Sequence, residues 1–115
     1  RSYSMSQYLG NYGYGGAGCD NMSQVRHPAR LFVFLDEHEQ SIDDARFMVV
    51  ASPGNTWANM PADRHNQGAN LSFVDGHVEH WHWRHSKQFQ FGDYGKPVAN
   101  DADLGDLRRL QDGIP

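Results

Sequence analysis

The 115 residues suit one domain, 1–115, and carry a formal net charge of -4 with histidines neutral. Arg108 and Arg109 are the only adjacent basic pair, too little to displace counterions from phosphate, so a nucleic-acid partner is excluded. Mean hydropathy is -0.74 and no run reaches the ~18 apolar residues of a membrane span.

Residues 1–28 are rich in Gly, Ser, Asn and Tyr, with Tyr3, Tyr8, Tyr12 and Tyr14 among them. Glycines favour turns, and tyrosines supply buriable area, so an ordered loop layer over a sheet is expected. Cys19 is the only cysteine, which rules out an intrachain disulfide. It reads as a small buried thiol or as a partner for another chain. The sequence starts at Arg1, without an initiator methionine, and is read as a fragment.

Leu31-Phe32-Val33-Phe34-Leu35 is apolar without alternation, the pattern of a central strand covered on both faces. Arg46-Phe47-Met48-Val49-Val50 reads as a second strand, paired with the first as a long-looped antiparallel hairpin. Between them Asp36, Glu37, His38, Glu39, Asp43 and Asp44 form an acidic stretch. It is read as a solvated loop, a polar subunit contact or a set of calcium oxygens, although no Asp-x-Asp-x-Asp-Gly loop is present.

Asp75-Gly76 separates two strand-like runs, the usual pair for a two-residue type I′ turn. Counting outward sets Val74 against His77, Phe73 against Val78, Ser72 against Glu79 and Leu71 against His80. Leu71, Phe73 and Val78 then share the core face, and His77, Glu79 and Trp81 share the other. A bulged three-residue turn would exchange the faces. Asn100 to Gln111 reads as a helix, with acids at its start, arginines near its end, a stripe of Leu104, Leu107 and Leu110, and Gly113 as the stop. The fold class is therefore α+β: a small antiparallel sheet, a Gly/Tyr-rich N-terminal loop layer and a short C-terminal helix.

Five of the seven histidines fall between His65 and His85. One reading is a metal site from His65, Asp75, His77 and Glu79, imidazole and carboxylate suiting zinc or another divalent ion. The other has His65 ordering the loop by hydrogen bonding, Asp75 and Gly76 forming the turn, and the remaining histidines at alternating strand positions. Trp57, Trp81 and Trp83 are read either as a flat platform for a glycan or partner, or as core; Asp36 and Glu37 are the other candidates for a binding surface. No Gly-x-Ser-x-Gly elbow, His-Glu-x-x-His helix or phosphate-binding Gly-Lys loop appears, so no enzyme is expected.

His65, nine intervening residues and then Asp75-Gly76 resemble the signature of a large prepilin-type family. Arg1-Ser2-Tyr3-Ser4-Met5, Leu31-Phe32-Val33-Phe34-Leu35-Asp36-Glu37 and the leucine-containing tail look like the same family. The resemblance covers nearly the whole chain. It implies the soluble head of a type IV pilin-like protein, or general secretion pathway pseudopilin, whose N-terminal hydrophobic helix is absent here. The head would be a structural subunit at the periplasmic or extracellular face of the cell envelope, its parent anchored in the inner membrane before assembly. Its partners would be other pilin or pseudopilin subunits, and secreted cargo or glycan. The calcium-binding loop of major pseudopilins finds no residue-by-residue counterpart. The alternatives are a small secreted metal-dependent hydrolase using His65, Asp75, His77 and Glu79, and a carbohydrate-binding module using the three tryptophans.

Overall fold

The run of apolar residues beginning at Leu31 becomes the middle strand of a five-stranded sheet. In the computed structural model, which describes residues 3–9, 27–42, 46–64 and 66–114, this strand is β2 (Phe32–Asp36), preceded by β1 (Tyr3–Ser6). Then come β3 (Arg46–Phe47), β4 (Thr56–Trp57), β5 (Gly68–Phe73), β6 (Val78–His82), β7 (Lys96–Pro97) and helix α1 (Asp101–Gln111). The main sheet has the order β3-β1-β2-β5-β6, and β4 pairs with β7 in a separate ribbon. The architecture is mixed: a sheet packed with one C-terminal helix.

β2 is central but not covered on both faces. Its pairing with β5 steps from Phe32–Phe73 to Phe34–Ser72, so Val33 is an extra residue. This bulge breaks the two-residue period and lets Phe32 and Leu35, three positions apart, both enter the core. Phe34 faces outward, 41% exposed, with its ring edge-on to Tyr3 at 5.7 Å.

The expected hairpin between the Leu31–Leu35 and Arg46–Val50 runs does not form. β1 inserts between them, antiparallel to β2 and parallel to β3, so the sheet is not purely antiparallel. Tyr3 to Ser6 are strand rather than loop, and the inward positions are the serines Ser4 and Ser6. Small polar residues on the buried face hide the strand from any hydrophobic pattern. The Gly/Tyr-rich stretch 10–26, Cys19, Asp43, Asp44 and His65 lie outside the described residues.

The β5–β6 hairpin forms with the bulged turn instead of the type I′ pair. Phe73 N donates to His77 O at 2.9 Å and Gly76 N to Phe73 O at 2.9 Å. Leu71 faces Glu79 and Ser72 faces Val78. Of the turn residues, only Gly76 takes a positive φ, 93°. One glycine suffices for this turn, whereas type I′ also forces Asp75 left-handed. Burial favours the same register: it places Trp81 in the core beside Leu71 and Phe73 and leaves Val78 67% exposed. Tryptophan carries far more apolar area than valine, so this exchange of faces buries the larger surface.

Asn100 caps α1, its side-chain oxygen accepting from Asp103 N at 2.9 Å. Asp101 and Asp103 occupy the first turn, and Arg108 and Arg109 the last, matching the helix dipole. The buried face is Asp103, Asp106, Leu107, Leu110 and Gln111, with Leu104 at its margin rather than in it. Gly113 ends the helix where a Cβ would come within 2.9 Å of the Phe32 ring.

Candidate functional site

The tip and outer strand of the β5–β6 hairpin bring three of the four proposed metal ligands together. The His77 ring lies between two carboxylates: Nδ1 meets Asp75 Oδ1, and Nε2 sits 2.6 Å from Glu79 Oε2. Asp75 also accepts from His77 N at 3.1 Å, which pins the turn. Hydrogen bonds from Glu79 and then Asp75 raise the His77 pKa above the ordinary imidazole value. Asp75 is lowered by its bonds from the His77 side chain and backbone. Glu79 is lowered first by the Trp81 indole, which donates to Oε1 at 2.8 Å, and then by His77.

Two ring nitrogens facing two acids make a charge-paired cluster, with no imidazole lone pair directed at open space. Among the described residues, no group of three or more His, Cys, Asp or Glu side chains is arranged to hold a metal ion. The cluster borders a cleft of about 250 Å³ lined by Phe73, Glu79, Trp81, Arg109, Arg30 and Asp112, among others. Arg109 lies over the Trp81 ring, 4.0 Å from its centroid. No local pattern joins Arg109 to this hairpin, because the approach is made by α1 from the far end of the chain.

His65, expected to order the segment before the hairpin, lies outside the described residues; its described neighbours make the turn. Asn66 and Gln67 take φ values of 66° and 56°, turning the chain tightly between Arg64 and Gly68. Gln67 then binds Trp83 twice, its side chain donating to Trp83 O at 2.9 Å and its carbonyl accepting from Trp83 N at 2.8 Å.

The three tryptophans do not form a platform. Trp57, Trp81 and Trp83 are 1%, 6% and 0% exposed, and the Trp81 and Trp83 rings stand 86° apart. Their apolar faces complete the core. Glu37 is likewise not a surface residue. It is fully buried, with Ser4 Oγ donating to one carboxylate oxygen and Ser41 Oγ to the other at 2.7 Å. Asp36, half-buried, accepts from Asn70 N at 3.1 Å across the sheet. Of the acidic stretch, Glu39 is exposed and paired with Arg64 at 3.0 Å.

A second polar centre lies inside the protein and has no counterpart in the sequence reading. Lys87 Nζ sits 2.8 Å from Asp103 Oδ1 and 2.6 Å from Asp106 Oδ2. The Trp57 and Trp83 rings flank it at 5.2 and 5.3 Å. Burial opposes the Asp103 charge, but Lys87, the Ala99 amide and the Trp57 indole together bring its pKa below the usual carboxylate value. Asp103 is legible in the sequence only as an acid at the helix start, and Asp106 only as a residue within the helix. Their spacing from Leu107 and Leu110 was the signal that they share the buried face.

Searches of protein-family profiles, curated proteins and solved structures return no match to this chain.

Proposed function

We propose that the chain is the globular head of a type IV pilin-like or pseudopilin subunit, acting by assembly and surface contact rather than turnover. The observation that carries this reading is a convergence. Three segments that bear the family resemblance are distant in sequence, yet they supply adjacent, hydrogen-bonded strands of one sheet, β1, β2 and β5. The described residues of the signature serve the hairpin: Gly76 makes the turn, and Asp75 holds it.

The charge pairing of His77 and the burial of the tryptophans support a structural role over the hydrolase and glycan-binding alternatives. No helix of the described residues is long and apolar enough to cross a membrane. The proposed reading expects the anchoring helix of the parent protein in sequence upstream of Arg1. The test is the coding sequence preceding Arg1. A short leader followed by roughly 20 apolar residues is expected. A cleavable secretory signal or a catalytic domain joined to Arg1 would overturn the reading.

A further inference from the structure

We propose that Lys87 and Asp103 join as an internal amide cross-link, formed by the folded chain itself with Asp106 carrying the proton. The reacting groups are in place and shielded. Lys87 Nζ is 2.8 Å from Asp103 Oδ1 and 2.6 Å from Asp106 Oδ2, and no side chain of the three is more than 5% exposed. Trp57 and Trp83 wall the site, keeping out the water that would oppose a condensation.

The two oxygens of Asp103 stand in different surroundings. Oδ2 accepts from the Trp57 indole at 3.1 Å and from Ala99 N at 2.9 Å. Oδ1 faces the ammonium. Two fixed donors on Oδ2 polarise the carboxyl carbon and hold the negative charge that builds there when Cγ is attacked. Asp106 Oδ2 is positioned by the Arg84 and His85 amides at 3.0 and 3.1 Å, directly beside Nζ. It is the acceptor for the ammonium proton and the donor to the departing oxygen.

The step balances without an oxidant or cofactor. Asp106 takes one proton from Nζ and passes it to Asp103 Oδ1, and the freed lone pair attacks the Cγ of the resulting neutral carboxyl. The Cγ–Oδ1 bond breaks, and Oδ1 leaves as water with two of the three Nζ protons. The product is one amide N–H. Asp106 ends ionised, as it began, and one buried ion pair has been replaced by a neutral link. The bond need form only once per molecule, and it ties α1 to the segment after β6 independently of any assembly partner.

Intact mass of the purified chain, followed by peptide mapping, tests this. A mass one water below the sequence mass is expected, with a branched peptide joining Lys87 to Asp103. Asp75-Gly76 and Asp112-Gly113 can lose the same water as succinimides, so the map decides. Full sequence mass with Lys87 and Asp103 in separate peptides, or water loss confined to an Asp-Gly step, overturns the proposal. Asp106→Asn should leave the bond unformed; a cross-linked Asp106→Asn chain would refute the role given to Asp106. Should that variant fail to fold, the map of the unaltered chain still decides whether the link exists.

Discussion

The imidazole of His77 lies flat on the ring of Phe73, with centroids 4.5 Å apart and planes 6° from parallel, while its edges meet Asp75 and Glu79. An ionised ring in this position joins the turn to β6. Glu79 and Asp75 raise the His77 pKa, so its contribution is complete below the ordinary imidazole range and fades as pH rises through the raised value. The lowered carboxylates act in the opposite direction, contributing above their ordinary range and losing that contribution as pH falls. The cluster should therefore stabilise most between about pH 4 and 6.5. His77→Phe keeps the stack and removes the charge. Urea titrations of both chains across pH should show a stability gap that is widest in that window and closes toward alkaline pH. A gap independent of pH would exclude ionised His77 as its source.

Gly76→Val should destabilise the protein by more than about 1 kcal/mol. The site isolates a backbone effect, because a Cβ at Gly76 meets nothing within 4 Å. The cost comes from φ 93° alone, a conformation a β-branched residue resists. Gly76→Asn should lose less, since asparagine tolerates the left-handed region. Equal denaturation midpoints for the glycine and valine chains would contradict the bulged turn.

Glu37→Ala should cost about 2–4 kcal/mol, because it strips the buried Ser4 and Ser41 hydroxyls of the carboxylate they bind. The damage spreads beyond the pair, since Ser41 Oγ also accepts from Met60 N at 2.9 Å. Glu37→Gln retains an acceptor and should lose less. Thermal unfolding of both variants measures the difference. A loss below about 0.5 kcal/mol for alanine would place the carboxylate outside the network.

The parts of the fold legible in the sequence were those written in apolar spacing or turn chemistry. β2, the β5–β6 hairpin and α1 appear close to where they were expected. The failures share a cause: side chains whose role depends on a distant partner. Ser4 and Ser6 carry no strand signal, and they are buried because β1 lies between two other strands. Glu37 looks like a solvated acid until Ser4 arrives on the neighbouring strand β1, from a distant part of the sequence. The turn length was undecided by Asp75-Gly76 itself and is favoured by the burial of Trp81, a tertiary effect. Lys87 gave no hint of burial, because two aspartates and two tryptophans from separate segments create its site.

The isolated chain should remain monomeric at micromolar concentration. Its exposed large apolar residues, among those described, are Tyr3, Phe34, Val78, Phe91 and Tyr94. Phe34 and Val78 lie in one row across the outer sheet face, each paired with Ser72, but Phe34 already packs edge-on against Tyr3. Phe91 and Tyr94 pack on each other in the 89–94 segment. A stable interface commonly buries about 1,200–2,000 Å². Association must also overcome at least about 4 kcal/mol of lost rigid-body freedom. Small aromatic patches and ion pairs such as Glu39–Arg64, worth about 0–1 kcal/mol each, do not reach that level. On the proposed reading as a filament head, they would set the register of subunits held together by other segments. Sedimentation velocity on the purified chain measures this directly. A dimer persisting at nanomolar concentration would make the outer sheet face an obligate interface and would count against a head that assembles only through its parent.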